Sequence, residues 1–220
     1  MPGRFADADP ILFDLDGTLT ASGPGILASV RYALEAMGEP VPGADQLARF
    51  IGPPLAESFS RFCGMDPDRV QAAITAYRVY FADRGQFENS VYAGIPEVLA
   101  ALRAEGRELA VATSKAEVFA GSILAHFDLE GFFTAVVGSE LDGRRTAKSE
   151  VITEALARLG RPRGGAVMIG DRFHDVVGAR TVGIPCLGAL WGYGITAELT
   201  GAGADLLVDK PTDLLTALLR

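Results

Sequence analysis

Asp14 and Asp16 lie in the run Phe13-Asp14-Leu15-Asp16-Gly17-Thr18-Leu19, directly after the short apolar stretch Pro10 to Phe13. Carboxylates at the end of a buried strand are costly to place unless a cation or another partner compensates them. Two further groups follow the same plan, Thr113-Ser114-Lys115 after an apolar run and Gly170-Asp171-Arg172-Phe173-His174-Asp175 after Ala166 to Ile169, and Lys148 lies at the start of the intervening helical pattern, where it could turn towards the same edge. Cleaving a phosphate monoester needs a nucleophile, neutralisation of the phosphoryl oxygens and a proton donor for the leaving oxygen, and this inventory contains each. Asp14, Asp16 and Asp171 offer hard oxygen ligands of the kind magnesium takes. Thr113 or Ser114, backbone amides after Asp14, and Lys148 would hold the transferring oxygens.

The elements that must position these groups follow from hydrophobic periodicity. Between Ser22 and about Gly85 the pattern is helical throughout, with Ile26, Val30 and Leu34 at spacing four, Gly38 as a stop, and further helices around Gln46 to Phe62 and Asp68 to Phe81. After Tyr92, helices and strands alternate. Pro96 to Glu105, Val118 to Phe127, Ser149 to Leu159, Val176 to Val182 and Asp213 to Leu219 read as helices. Leu109 to Ala112, Ala135 to Val137, Ala166 to Ile169, Pro185 to Leu187 and Asp205 to Val208 read as strands. Strands joined by helical crossovers predict an α/β fold with a doubly wound parallel sheet, and in such sheets ligands bind beyond the carboxyl ends of the strands. Residues 1–20 and 91–220 are then the catalytic core, and residues 21–90 an inserted helical cap.

Four elements in this order resemble the haloacid dehalogenase superfamily, in its phosphatase branch, and the likeness runs from about residue 10 to about residue 194. The resemblance implies a Rossmannoid core with a helical cap of the type called C1. It implies Asp14 as nucleophile, Asp16 as general acid and base, Thr113 or Ser114 and Lys148 as phosphate ligands, and Asp171 as a ligand of Mg2+. In that family the second residue of Asp-x-Asp reaches the metal through its backbone carbonyl, so the expected metal set is Asp14, Asp16 and Asp171, with Asp175 a metal or neighbouring carboxylate. Phe50 to Leu55, Leu141 to Thr146, Gly170 to Asp175 and Trp191-Gly192-Tyr193-Gly194 resemble a subgroup labelled phosphoglycolate phosphatase-like or 5'-nucleotidase-like. Arg172 and His174 tilt the expected substrate towards a nucleoside monophosphate over phosphoglycolate. Thr20-Ala21 departs from the acidic residue and serine of relatives and touches the hinge, not the chemistry. Arg49, Gly52 and Pro53 are candidate cap residues for specificity.

An isolated Asp-x-Asp is as often a turn or cap; three matching elements remove that reading. Arg144 and Arg145 could recognise an anion or simply be solvated. His174 has neither a metal spacing nor an evident nucleophile partner and reads as structural or as a residue supporting the site's ligands, and His126 reads as core or surface. Gly138 to Arg144 is spaced like the start of a P-loop but has arginine in place of lysine, and no Gly-x-Ser-x-Gly elbow is present. Phosphonatase chemistry would need a cap lysine, and the first lysine is Lys115. The rivals are a phosphomutase of the same superfamily and a non-catalytic binding protein on the same scaffold.

With 49% hydrophobic residues the 220-residue chain can bury a large core, and its formal net charge of -8 gives no general attraction for nucleic acid polymers or anionic membranes. Cys63 and Cys186 have no paired spacing and are expected to be free thiols of a reducing compartment. Acids between Met1 and Asp9 occupy the place where a signal peptide has an apolar run. The expectation is a cytoplasmic monomer or small homo-oligomer acting on a small phosphorylated metabolite.

Overall fold

Ile11, Leu12 and Phe13 are completely buried and form β1 (Ile11–Phe13), an inner strand of a six-stranded parallel sheet. A computed structural model describes residues 5–161 and 164–219. Met1 to Arg4 of the acid-bearing N-terminal stretch lie outside the described residues. The chain divides into two compact units, Met1–Thr20 with Val91–Arg220, and Ala21–Ser90.

The second unit is helical, with α1 (Gly23–Ala36), α2 (Ala44–Ala48), α3 (Leu55–Cys63) and α4 (Pro67–Tyr80), the last running into a π-helical turn at Phe81–Gly85. Helix α1 starts with Pro24 in its first turn, where the missing N–H costs nothing, and stops at Gly38, whose φ of 69° suits the left-handed position after a helix. The apolar pattern from Gln46 to Phe62 is divided between α2 and α3. Gly52 takes a φ of 106°, and Pro53 and Pro54 cannot continue a helix, so the chain turns there. Phe50 packs edge-on against Phe59 and Phe62, and the Arg49 guanidinium lies 4.3 Å over the Phe62 ring.

The first unit continues with α5 (Ile95–Ala104), β2 (Leu109–Ala116), α6 (Glu117–His126), β3 (Ala135–Ser139), α7 (Lys148–Arg158), β4 (Val167–Gly170), α8 (Phe173–Val182), β5 (Cys186–Ala189), α9 (Thr196–Ala202), β6 (Leu206–Val208) and α10 (Leu214–Leu219). The strand order is β3-β2-β1-β4-β5-β6, and every pairing is parallel. Leu12, Ala112 and Met168 from the sheet join Val151 and Ile152 of α7 and Val176 and Ala179 of α8 in one buried cluster. The chain winds outward from β1 through β2 and β3, then returns to β4 on the other side, so the switch in winding falls between β1 and β4. Phe13 is in register with Val111 on one side and Ile169 on the other, which brings the residues following both inner strands to one edge.

Candidate active site

Asp14 is the first residue beyond β1, and its N–H donates to the Ile169 carbonyl at 2.9 Å, pinning it beside the end of β4. Asp171 is the first residue beyond β4, and Asp175 lies in the first turn of α8, where its carboxylate accepts the Arg172 N–H at 3.0 Å in a helix-capping bond. Carboxylate oxygens of Asp14, Asp171 and Asp175 lie within 4.8 Å of one another, and all three residues are buried. The close approach depends on glycines: a Cβ on Gly17 would stand 2.2 Å from Asp171 Oδ2, and one on Gly170 would stand 2.2 Å from Asp175 Cγ.

Lys148 opens α7 and is 6% exposed. Its ammonium donates to Asp14 Oδ1 at 2.7 Å and lies 2.6 Å from Asp175 Oδ1. Burial pulls the Lys148 pKa down, but the two carboxylates outweigh it and hold the group above the ordinary lysine value, so it is charged. Asp175 is pushed up to about 6 by burial, which Lys148 opposes and Asp14 reinforces. Asp171 is raised well above the usual carboxylate range by burial and then by the charges of Asp175 and Asp14. It accepts the Tyr193 N–H at 2.8 Å and the Thr18 hydroxyl at 3.4 Å. Crowding of carboxylates in a buried site is relieved by a bound cation.

The Asp16 carboxylate is directed elsewhere. Its Oδ2 lies 2.9 Å from Lys115 Nζ, while Oδ1 is buried and makes no hydrogen bond among the described residues. Thr113 is buried on β2, its hydroxyl accepting the Lys115 N–H at 3.3 Å, and Ser114 is half-buried beside it. β2 extends beyond the expected Ala112 to Ala116, and so carries Thr113, Ser114 and Lys115 on the strand itself.

Other candidates are placed outside this cluster. Arg172 Nε donates to Glu198 at 2.9 Å, and the His174 ring lies tilted against that of Phe173, with centroids 3.8 Å apart. Arg145 lies among Glu140, Glu117 and Glu154 at 2.9, 3.5 and 3.4 Å, and Arg144 pairs with Asp142 at 2.8 Å. Arg49, Gly52 and Pro53 belong to the helical unit, around the α2–α3 turn. Sequence reasoning left Thr18 and Tyr193 without a role at Asp171, because neither contact has a spacing signature. Cys63 and Cys186 are free, and burial pushes both thiols up. Among the described residues no helix is long and apolar enough to cross a membrane.

Residues 11–189 match the family described as haloacid dehalogenase-like hydrolase. The chain belongs to that family and is an enzyme of its phosphatase class, a phosphoric monoester hydrolase. A 5'-nucleotidase of Pseudomonas aeruginosa is 47% identical over 189 residues, which cover 86% of each chain. Tyrosine-protein kinase PtkA of Mycobacterium tuberculosis is 46% identical over 184 residues, 84% of this chain but 62% of that one. The crystal structure of a predicted phosphatase from Clostridium acetobutylicum superposes with a TM-score of 0.91 at 43% identity, covering 94% of this chain and 96% of that chain.

Proposed function

We propose that the protein hydrolyses a small phosphate monoester in two steps, through an aspartyl-phosphate on Asp14. The observation that carries this is the division of labour among the acids: Asp14 shares Lys148 with Asp175 inside a carboxylate cluster, whereas Asp16 stands outside that cluster on Lys115. In the first step Asp14 attacks phosphorus while Asp16 protonates the leaving oxygen, and in the second Asp16 takes a proton from the attacking water. Lys148, with Thr113 or Ser114, holds the phosphoryl oxygens.

The donor set fits magnesium: three buried carboxylates with oxygens within 4.8 Å are hard ligands for a small cation. Asp14 and Asp171 would hold it, with the backbone carbonyl of Asp16 and with Asp175 directly or through its neighbours. When bound, it neutralises charge on the phosphate and on Asp14. In this reading residues 21–90 take the role of a cap, and Arg49, Gly52 and Pro53 are the candidate residues for specificity.

The substrate we favour is a nucleoside monophosphate, ahead of phosphoglycolate, supported by the relative named as a 5'-nucleotidase. Two free cysteines support a reducing, cytoplasmic setting. A second reading, transfer of the phosphoryl group from Asp14 to a tyrosine rather than to water, is favoured by the relative named as a tyrosine-protein kinase. Phosphate release over a panel of nucleotides, sugar phosphates and short phosphoacids, with magnesium and with chelator, tests the main reading. Release should stop with chelator and in Asp14→Asn. Phosphotyrosine formed in place of free phosphate would select the second reading, and full turnover by Asp14→Asn would reject both.

A further inference from the structure

The loop after β5, Trp191-Gly192-Tyr193-Gly194, grips both strand-end loops at once. Trp191 Nε1 donates to the Thr18 carbonyl at 3.0 Å, and the Tyr193 N–H donates to Asp171 Oδ2 at 2.8 Å. Its glycines are there for proximity. A Cβ on Gly192 would lie 2.3 Å from the Gly17 carbonyl oxygen and 2.4 Å from Asp171 Cβ, and one on Gly194 would lie 1.8 Å from the Asp171 carbonyl oxygen. Only a residue without a side chain lets the backbone come this near.

Tyr92 closes the arrangement from a different part of the chain. Its N–H donates to the Leu19 carbonyl at 3.1 Å, next to the bridge between Thr20 and Val91, and its hydroxyl is hydrogen-bonded to that of Tyr193. Burial, and then the nearby Tyr193, Asp171 and Asp16, push the Tyr92 hydroxyl up, so the phenol is neutral throughout the working range. The pair therefore bridges the segment after Asp16 to the loop that holds Asp171.

We propose that Trp191–Gly194, tied by Tyr193 to Tyr92, is a positioning clamp that fixes the Asp171 carboxylate against the Asp14 loop and so sets the site's affinity for a divalent cation. Both tyrosines are positioning residues, acting through the loop that holds Asp171. The inference rests on the reading of the carboxylate cluster as a magnesium site. Outer partners of ligating groups commonly change metal affinity by roughly 10–100-fold when removed.

The test is direct calorimetric titration of magnesium into the wild type, Tyr193→Phe, Tyr92→Phe and the double variant, with melting temperatures taken without metal. Each single variant should bind magnesium roughly tenfold more weakly. The double variant should be no weaker than either single, because both remove the same bond. Trp191→Phe, which keeps an aromatic side chain but loses the bond to the Thr18 carbonyl, should weaken binding in the same direction. If one tyrosine variant fails to fold, the other carries the same expectation. Unchanged magnesium affinity in the tyrosine variants, with or without a lower melting temperature, would overturn the clamp and leave the site reading intact. A wild type that binds no magnesium would overturn both.

Discussion

The Lys148 ammonium lies 2.7 Å from Asp14 Oδ1, joining the first residue of α7 to the first residue beyond β1. Asp175 holds the same ammonium from its other side at 2.6 Å, so one buried cation serves two buried carboxylates. Removing it leaves both without their counter-charge, a change that costs roughly 3–5 kcal/mol for a buried pair. Lys148→Met keeps the length of the stem and removes the charge. Phosphate release should fall by about 100-fold or more, as for the loss of a preorganised oxyanion donor, and the denaturant midpoint should drop. Turnover close to that of the wild type would remove Lys148 from the phosphate site.

Gly178 in α8 supports this lysine through its lack of a side chain. A Cβ there would meet both Cβ and Cγ of Lys148 at 2.7 Å. Gly178→Ala must move α7 away from α8 or displace the lysine stem, and we expect phosphate release about tenfold lower, in line with the cost of small misplacements of reacting groups. Gly121 in α6 is the contrast, since a Cβ there meets nothing within 4 Å. Gly121→Ala should stabilise the protein by about 0.5–1 kcal/mol through helix propensity and unfolded-state entropy. Thermal melts and steady-state rates on the two variants check both halves, and loss of activity in Gly121→Ala alone would reverse the argument.

Glu117 gives a stability signature in acid. Burial would raise its pKa, but Arg158 with paired bonds at 2.9 and 3.0 Å, the Gly138 N–H at 3.3 Å and the charge of Arg145 hold it below the usual carboxylate value. A group depressed in the folded state contributes stability in full above its unfolded pKa, about 4.3 for glutamate, and loses it as the pH falls through the lower folded value. Glu117→Gln should therefore melt below the wild type at pH 7, and the gap should close as the pH drops below about 4. A gap independent of pH would show that shape, not charge, holds this corner.

A feature is legible in the sequence to the extent that it is local. The strand ends at Asp14 and Asp171 are marked by short apolar runs that stop at carboxylates, a local pattern with a long-range consequence through sheet order. Helix α9 buries only Leu199 fully and is bounded by glycines, so it has no apolar stripe to announce it. The division between α2 and α3 was written in Gly52-Pro53-Pro54, but the apolar spacing continues across it. Arg145 illustrates the opposite case, since a loop arginine reads equally well as an anion ligand until Glu117, Glu140 and Glu154 are seen around it. The bond between Tyr92 and Tyr193 joins distant loops and leaves no periodic trace.

Asp16 separates acid-base chemistry from simple metal binding. One of its oxygens is 2.9 Å from the Lys115 ammonium, the other is buried without a hydrogen bond among the described residues, and the residue lies outside the Asp14, Asp171 and Asp175 cluster found among them. If Asp16 protonates the leaving oxygen and later deprotonates water, Asp16→Asn should slow both half-reactions while magnesium still binds, because the contact proposed for it there is a backbone carbonyl. The leaving group then becomes the probe. An aryl phosphate, whose departing oxygen hardly needs a proton, should form the aspartyl-phosphate nearly normally, whereas an alkyl phosphate should be slowed at that step. Rapid mixing should show the intermediate accumulating from the aryl ester in the variant, since its hydrolysis has lost the base. Equal slowing of both esters in the first step, with wild-type decay of the intermediate, would show that the proton is carried by another group.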